Sequence, residues 1–269
     1  MEQSDAAELF ALLGHPGRLG LFRLLMRRAP QGVRPGEMAR VLDLGGSTLS
    51  AYLAALEAGG LIQAERQGRA IYYRAVTERA GALIGFLHED CCRGRPDLCP
   101  LPLAPREDAM PNVIFICTGN SGRSIIAETL VNALGKGRFR AFSAGTHPAK
   151  APHPQALDLL ARSGHDIRNL HSKPLSLFQQ PDAPRMDFVF TLCDAAANEE
   201  CAPWPGGPIS AHWGLPDPSL ATGTEAERAL AYAECYRALR RRIEAFVALP
   251  LETLDRMALQ RHVDNITEA

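Results

Sequence analysis

Cys117, Thr118, Gly119, Asn120, Ser121, Gly122, Arg123 and Ser124 form a Cys-x5-Arg-Ser run. The apolar stretch from Asn112 to Ile116 precedes it. Ile125, Ile126, Thr129, Leu130 and Leu134 follow at helical spacing, with Gly135-Lys136-Gly137 as a stop. The run is therefore expected to be a turn from a strand into a helix. Such a turn points successive backbone N–H groups inward at the positive end of the helix, which makes an anion cradle. Arg123 adds a planar two-pronged clamp for a tetrahedral oxyanion. The same field is expected to lower the Cys117 pKa and keep a thiolate at neutral pH. Asn120 and Ser124 would hold the loop and donate to the sulfur, and Gly119 and Gly122 would permit turns that side chains block. The chemistry implied is thiolate attack on a bound oxyanion.

Seven cysteines stand in the chain, and they fall into two groups. Cys91, Cys92 and Cys99 are close together, whereas Cys117, Cys193 and Cys201 are spread over the second half, with Cys235 in an amphipathic helix. The odd number argues against a disulfide framework and leaves soft-ion ligation, redox chemistry or plain burial. The five histidines from His147 to His212 show no metal-ligand spacing.

The elements that must position these residues divide into two domains, the default for 269 residues. Lys+Arg 29 against Asp+Glu 30 leaves no global field, so a nucleic-acid site must be a local patch. No apolar run is long enough to span a bilayer. Met1 to Asp5 lack the basic start of a signal peptide, so the chain is expected to be cytoplasmic, with no membrane partner. Pro96, Pro100, Pro102, Pro105 and Pro111 interrupt any helix or central strand. The expected domains are 1–99, a Pro-rich linker at 100–110, and 111–269 ending in a helical tail.

The first domain reads as helices and a hairpin. Leu9, Leu12 and Leu13 make one face. Leu19, Phe22, Leu25 and Met26 stripe a second helix, and Pro35 opens a third running to Leu42. Ser47 fits the N-cap of a fourth, striped by Leu49, Leu53 and Leu56 and stopped by Gly59-Gly60. Leu61 to Glu65 and Ala70 to Arg74 pair around Gln67-Gly68, before a last helix from Thr77 to Cys91. That order is the α+β winged helix-turn-helix. Its reader would present Ser47, Thr48, Ser50, Ala51 and Tyr52 to operator DNA, and Arg66, Arg69 and Arg74 in the wing would meet phosphates. The second domain alternates strands (112–116, 140–143, 188–192, 208–211) with helices (155–163, 225–249), an α/β domain with a parallel sheet.

The blocks "ALLGHPGRLGLFRLL", "STLSAYLAALEAGGLI" and "ERQGRAIYYRA" resemble the arsenical-resistance (ArsR-type) family of dimeric winged-helix repressors. The resemblance implies a homodimer through the N-terminal domain, released from DNA when a soft metalloid binds cysteines. The Glu37 to Leu42 helix carries none, so "CCRGRPDLC" is the implied inducer site. Three thiolates from Cys91, Cys92 and Cys99 suit pyramidal arsenite or antimonite. A tetrahedral zinc site completed by His88, or three unrelated thiols, are the alternatives.

The motifs "CTGNSGRS", "FSAGTHP", "TLCDAAANEEC" and "GLPDP" resemble the low-molecular-weight tyrosine phosphatase fold, and more closely its arsenate reductase branch. The resemblance implies that Asp217 is the general acid and that Cys193 and Cys201 relay a disulfide toward thioredoxin or glutaredoxin with glutathione. It implies no tightly bound cofactor. Ser219 stands where tyrosine phosphatases tend to carry tyrosine. The expected function is a repressor fused to an arsenate reductase. The alternatives are a repressor fused to a phosphatase, or a regulator whose second domain only binds oxyanion.

Overall fold

The structure is a computed structural model that describes residues 1–93, 110–180, 182–199, 204 and 207–267. The chain divides into two compact units, Met1–Pro102 and Leu103–Ala269. Cys99 and Cys201 lie outside the described residues, as does most of the expected Pro-rich linker.

In the first unit the helices are α1 (Gln3–Leu13), α2 (Pro16–Arg28), α3 (Pro35–Val41), α4 (Gly46–Ala58) and α5 (Thr77–Phe86). Strands β1 (Ile62–Gln67) and β2 (Ala70–Ala75) pair antiparallel, with Gln67 opposite Ala70. The hairpin turn is thus Gly68-Arg69, one residue later than expected, and Gly68 supplies the positive φ of 63° that it requires. Proline at the first position of α2 and α3 has no N–H to leave unpaired. Leu21, Leu24 and Leu25 of α2 pack with Leu9, Leu49, Leu53 and Leu56 into the core.

Three expectations need correction here. Leu19 and Met26 are exposed, because the buried face of α2 is set by Leu21 and Leu24 rather than by the i, i+3 spacing from Leu19. The N-cap of α4 is Gly45, which puts Ser47 inside the first turn. The last helix ends at Phe86 and widens into a π-helical turn, Leu87–Cys91.

The second unit is a four-stranded sheet in the order β4-β3-β5-β6: β3 (Asn112–Cys117), β4 (Arg140–Gly145), β5 (Phe188–Thr191) and β6 (Ile209–His212). Every pairing is parallel. Around it stand α6 (Arg123–Leu134), α7 (Pro154–Arg162), α8 (Asp194–Asn198), α9 (Glu225–Val247) and α10 (Arg256–Asn265). The near-continuous apolar runs of β3 and β5 are those of strands buried on both faces. Phe115, Phe190, Trp213 and Phe246 interlock in the core, with the Phe190 and Trp213 rings 4.1 Å apart. Gln260 of α10 covers the open edge of β6, its amide donating to the Ser210 carbonyl at 2.8 Å. Among the described residues no helix is long and apolar enough to cross a membrane.

Candidate active site

Strand order alone brings the chemistry together. β3 lies between β4 and β5, and Ile116 pairs with Thr191. Cys117 at the end of β3 and Cys193 just past β5 therefore leave adjacent parallel strands on the same side. The chain order reverses at this crevice, where open α/β sheets bind ligands.

The loop after β3 is shaped by what accepts its carbonyls. Cys117 O receives Thr146 N–H (3.2 Å), Thr118 O receives His147 N–H (2.9 Å), and Gly119 O receives Ala149 N–H (2.8 Å). Asn120 O receives the Ser172 hydroxyl at 2.8 Å. Ser121 O receives His153 N–H (2.7 Å), and Gly122 O receives Ile126 N–H (3.0 Å). With each carbonyl from residue 117 to 122 turned outward and satisfied, the intervening N–H groups are left for an anion. Gly145 permits the approach of residues 146–153, since a Cβ there would lie 2.6 Å from Thr118 O.

A buried network surrounds the Cys117 sulfur. Asn120, at a positive φ of 43°, donates both amide hydrogens at 2.8 Å, one to Ser124 Oγ and one to Ser143 Oγ. Ser124 Oγ, which accepts from Asn120, lies 3.0 Å from Cys117 Sγ, placed to donate to a thiolate or to accept from the thiol. Ser143 donates onward to Glu128 at 2.5 Å, and Glu128 is paired with Lys173 at 3.0 Å. Sequence reasoning missed Glu128, Ser143 and Lys173: Glu128 lies one turn past Ser124 and Ser143 within the FSAGTHP motif, but their pairing is made across the fold and no spacing shows it.

The Cys117 thiol is pushed up from its ordinary value, the reverse of the expected lowering. Burial is the largest cause; the Ser124 hydroxyl, the Ser124 N–H and the Arg123 charge oppose it without overcoming it. One reason is where Arg123 points. Its Nη2 bonds Asp217 at 2.5 Å and its Nη1 bonds the Leu215 carbonyl at 2.9 Å, so part of its charge is spent on the carboxylate. Ser219 holds the other Asp217 oxygen through its N–H (3.0 Å) and hydroxyl (2.7 Å).

Cys193 is buried, and its sulfur lies 3.3 Å from Oγ1 of Thr118, the residue after Cys117. Asn198 ends α8, and Glu199 accepts from the Thr146 hydroxyl at 2.8 Å. Tyr232 was also missed. Its ring stacks on His153 with centroids 5.0 Å apart and covers Gly122, and burial pushes its hydroxyl up.

In the first unit Ser47, Thr48, Ser50 and Ala51 are exposed on α4, and Arg66 and Arg69 are exposed on the hairpin. Arg74 pairs with Glu65 at 2.8 Å instead of standing free. Tyr52 is half-buried, its ring 5.0 Å from His15 and packed on Gly17. Cys91 is a free, exposed thiol. Cys92 is disulfide-bonded, although the odd number of cysteines argued against a disulfide framework; within a disulfide it has no thiolate to offer a metalloid until it is reduced. Among the described residues no group of three ligating side chains is gathered for a metal.

Residues 112–260 match the model of the low molecular weight phosphotyrosine protein phosphatase family. The arsenate reductase of Shouchella clausii is 33% identical over 134 residues, which span 50% of this chain and 93% of that protein. That of Bacillus licheniformis is 36% identical over 117 residues, 43% of this chain and 80% of the relative. The glutaredoxin arsenate reductase of Synechocystis sp. is 33% identical over 109 residues, 40% of this chain and 79% of the relative.

Proposed function

Because the chain belongs, through residues 112–260, to the low molecular weight phosphotyrosine protein phosphatase family, we propose that its second unit uses that site to reduce arsenate. The observation that carries the reading is Cys193 Sγ 3.3 Å from Thr118 Oγ1, the residue after the nucleophile. A phosphatase needs only the cysteine, the arginine and the acid. A second thiol against the loop serves electron transfer, and the curated relatives are arsenate reductases.

Arsenate enters the loop and draws Arg123 from Asp217. The Cys117 thiol proton passes by way of the bound oxyanion to the freed Asp217 carboxylate; the thiolate so formed attacks arsenic, and Asp217 gives that proton to the departing oxygen, which leaves as water. Cys193, as thiolate, then attacks Cys117 Sγ. The new S–S bond forms as the S–As bond breaks, and its electron pair stays on arsenic, which leaves as arsenite. Cys201 attacks Cys193 Sγ, frees Cys117 as thiolate and carries the disulfide to an external dithiol. Thioredoxin or glutaredoxin with glutathione is the reductant class. No tightly bound cofactor is needed.

The first unit we read as an arsenite-responsive repressor of the winged helix-turn-helix kind. Support comes from the helix order, from the β1–β2 hairpin that Val33 extends by pairing with Tyr73, and from the exposed hydroxyls of α4 above Leu49 and Leu53. Exposed Phe10 on α1 and Ile84 on α5 suit a homodimer through this unit. With Cys92 reduced, arsenite or antimonite held by Cys91, Cys92 and Cys99 would release operator DNA.

The experiment is DNA release from the intact chain. Arsenate plus a thioredoxin or glutaredoxin system is expected to release DNA, Cys117→Ser to abolish that release, and added arsenite still to work on the variant. Aryl phosphate turnover without thiol consumption would favour the phosphatase reading. DNA release by arsenate in Cys117→Ser would favour an oxyanion-binding regulator.

A further inference from the structure

Helix α8, which follows Cys193, has five residues, too few to be stable alone. It is held at both ends by unlike tethers. At its start the Asp194 carboxylate accepts from His212 Nε2 at 3.0 Å, and His212 Nδ1 in turn takes the Thr191 hydroxyl at 2.8 Å. His212 is fully buried in β6, so this end is fixed to the sheet. At its end Glu199 accepts the Thr146 hydroxyl at 2.8 Å, with His147 Nδ1 3.5 Å away. His147 is largely exposed, so this end is held near the surface.

Thr146 and His147 face two ways. Their backbone N–H groups support the carbonyls of Cys117 and Thr118, while their side chains reach Glu199.

We propose that Thr146 and Glu199 are positioning residues that latch the Cys193 helix to the nucleophile loop, so that an oxyanion in the loop keeps Cys193 docked. An anion that organises the loop N–H groups also fixes the carbonyls turned outward, and with them residues 146–147 and Glu199. When the anion leaves, the far end of α8 loosens and swings on the His212 anchor. The proposal deepens the reductase reading of this site and rests on it for purpose, but not for its test.

The test is alkylation of the reduced, full-length chain by iodoacetamide, followed cysteine by cysteine through peptide mass spectrometry, with and without inorganic phosphate. In the natural chain phosphate is expected to slow Cys193 labelling about fivefold or more. Thr146→Val should raise the phosphate-free rate about tenfold, the worth of one charge-assisted hydrogen bond, and remove the phosphate effect. Thr146→Ser, which keeps the hydroxyl, should behave as the natural chain, and Glu199→Gln should lie between. Cys235 in α9 is the gauge of general unfolding, and its labelling should not change. If Thr146→Val folds poorly, Glu199→Gln carries the same comparison. The proposal is overturned if phosphate gives the natural chain no protection, or if it protects Cys193 equally in Thr146→Val. Labelling needs no arsenate turnover, so the latch can fail in a working reductase, or hold in a chain that reduces nothing.

Discussion

Ser124→Ala isolates the strongest argument about the nucleophile. The Ser124 hydroxyl is 3.0 Å from Cys117 Sγ, and once that sulfur is ionised the hydroxyl can meet it only as a donor. A hydrogen bond to an ionised group is worth about 1.5–3 kcal/mol. At about 1.4 kcal/mol per pH unit, its removal moves the Cys117 pKa up by roughly one to two units. Burial already holds that pKa above the ordinary value, so the thiolate is a minority near pH 7 and reactivity rises with pH. Ser124→Ala is therefore expected to be about 10–100-fold slower near neutrality. The deficit should close above the displaced pKa, where both chains are ionised. The assay is the initial rate of Cys117 alkylation across a pH series, with arsenate turnover alongside. A loss of the same size at every pH, with the inflection unmoved, would refute the electrostatic account and leave Ser124 a purely spatial role.

Asp217→Asn removes the proton donor and should slow the first chemical step by about 10²–10⁴. Phosphate should bind the variant at least as tightly as the natural chain, because Arg123 no longer has to leave an ion pair; inhibition constants measure this. Lys173→Met leaves Glu128 with a side chain only 14% exposed and no cation, and should destabilise the second unit by roughly 3–5 kcal/mol in denaturant unfolding. Adding Glu128→Gln should restore part of that loss. Burial pushes the Cys235 thiol up to about 12 from its ordinary value of 9.0, so the folded chain keeps that proton more tightly than the unfolded one. This stability is intact below about pH 9 and is lost through the window up to about 12, at about 1.4 kcal/mol per pH unit. Cys235→Ala should flatten that alkaline decline in unfolding midpoints.

What could be seen in the sequence was local. The strand, the Cys-x5-Arg turn and the helix behind it follow from neighbouring residues, and each lies where the periodicity put it. Helix α9 was legible for the same reason, with Thr224 and Glu227 capping each other at its start. Partnerships across the fold were not. Arg123 meets Asp217 and Asn120 meets Ser143 because β3 is flanked by β4 and β5, and no spacing in the chain encodes that order. Leu19 and Met26 were misassigned because an apolar stripe does not say which of two neighbouring faces its helix will bury.

The reversal at Cys117 shows why site chemistry is the last thing a sequence yields. The anion loop and Arg123 were correctly expected to favour a thiolate, and both do act in that direction. What the motif could not show is that the same loop is closed from outside by residues 146–153 and covered by Tyr232, so that the sulfur is 2% exposed. Desolvation then outweighs the field. A neutral thiol beside an Arg123–Asp217 pair has a functional logic. A divalent oxyanion meets no sulfur charge on entry, and the guanidinium it recruits is the one that restrains the acid. In the mechanism proposed above, the move that clamps the oxyanion is also the one that frees Asp217 to take the thiol proton and pass it to the departing oxygen.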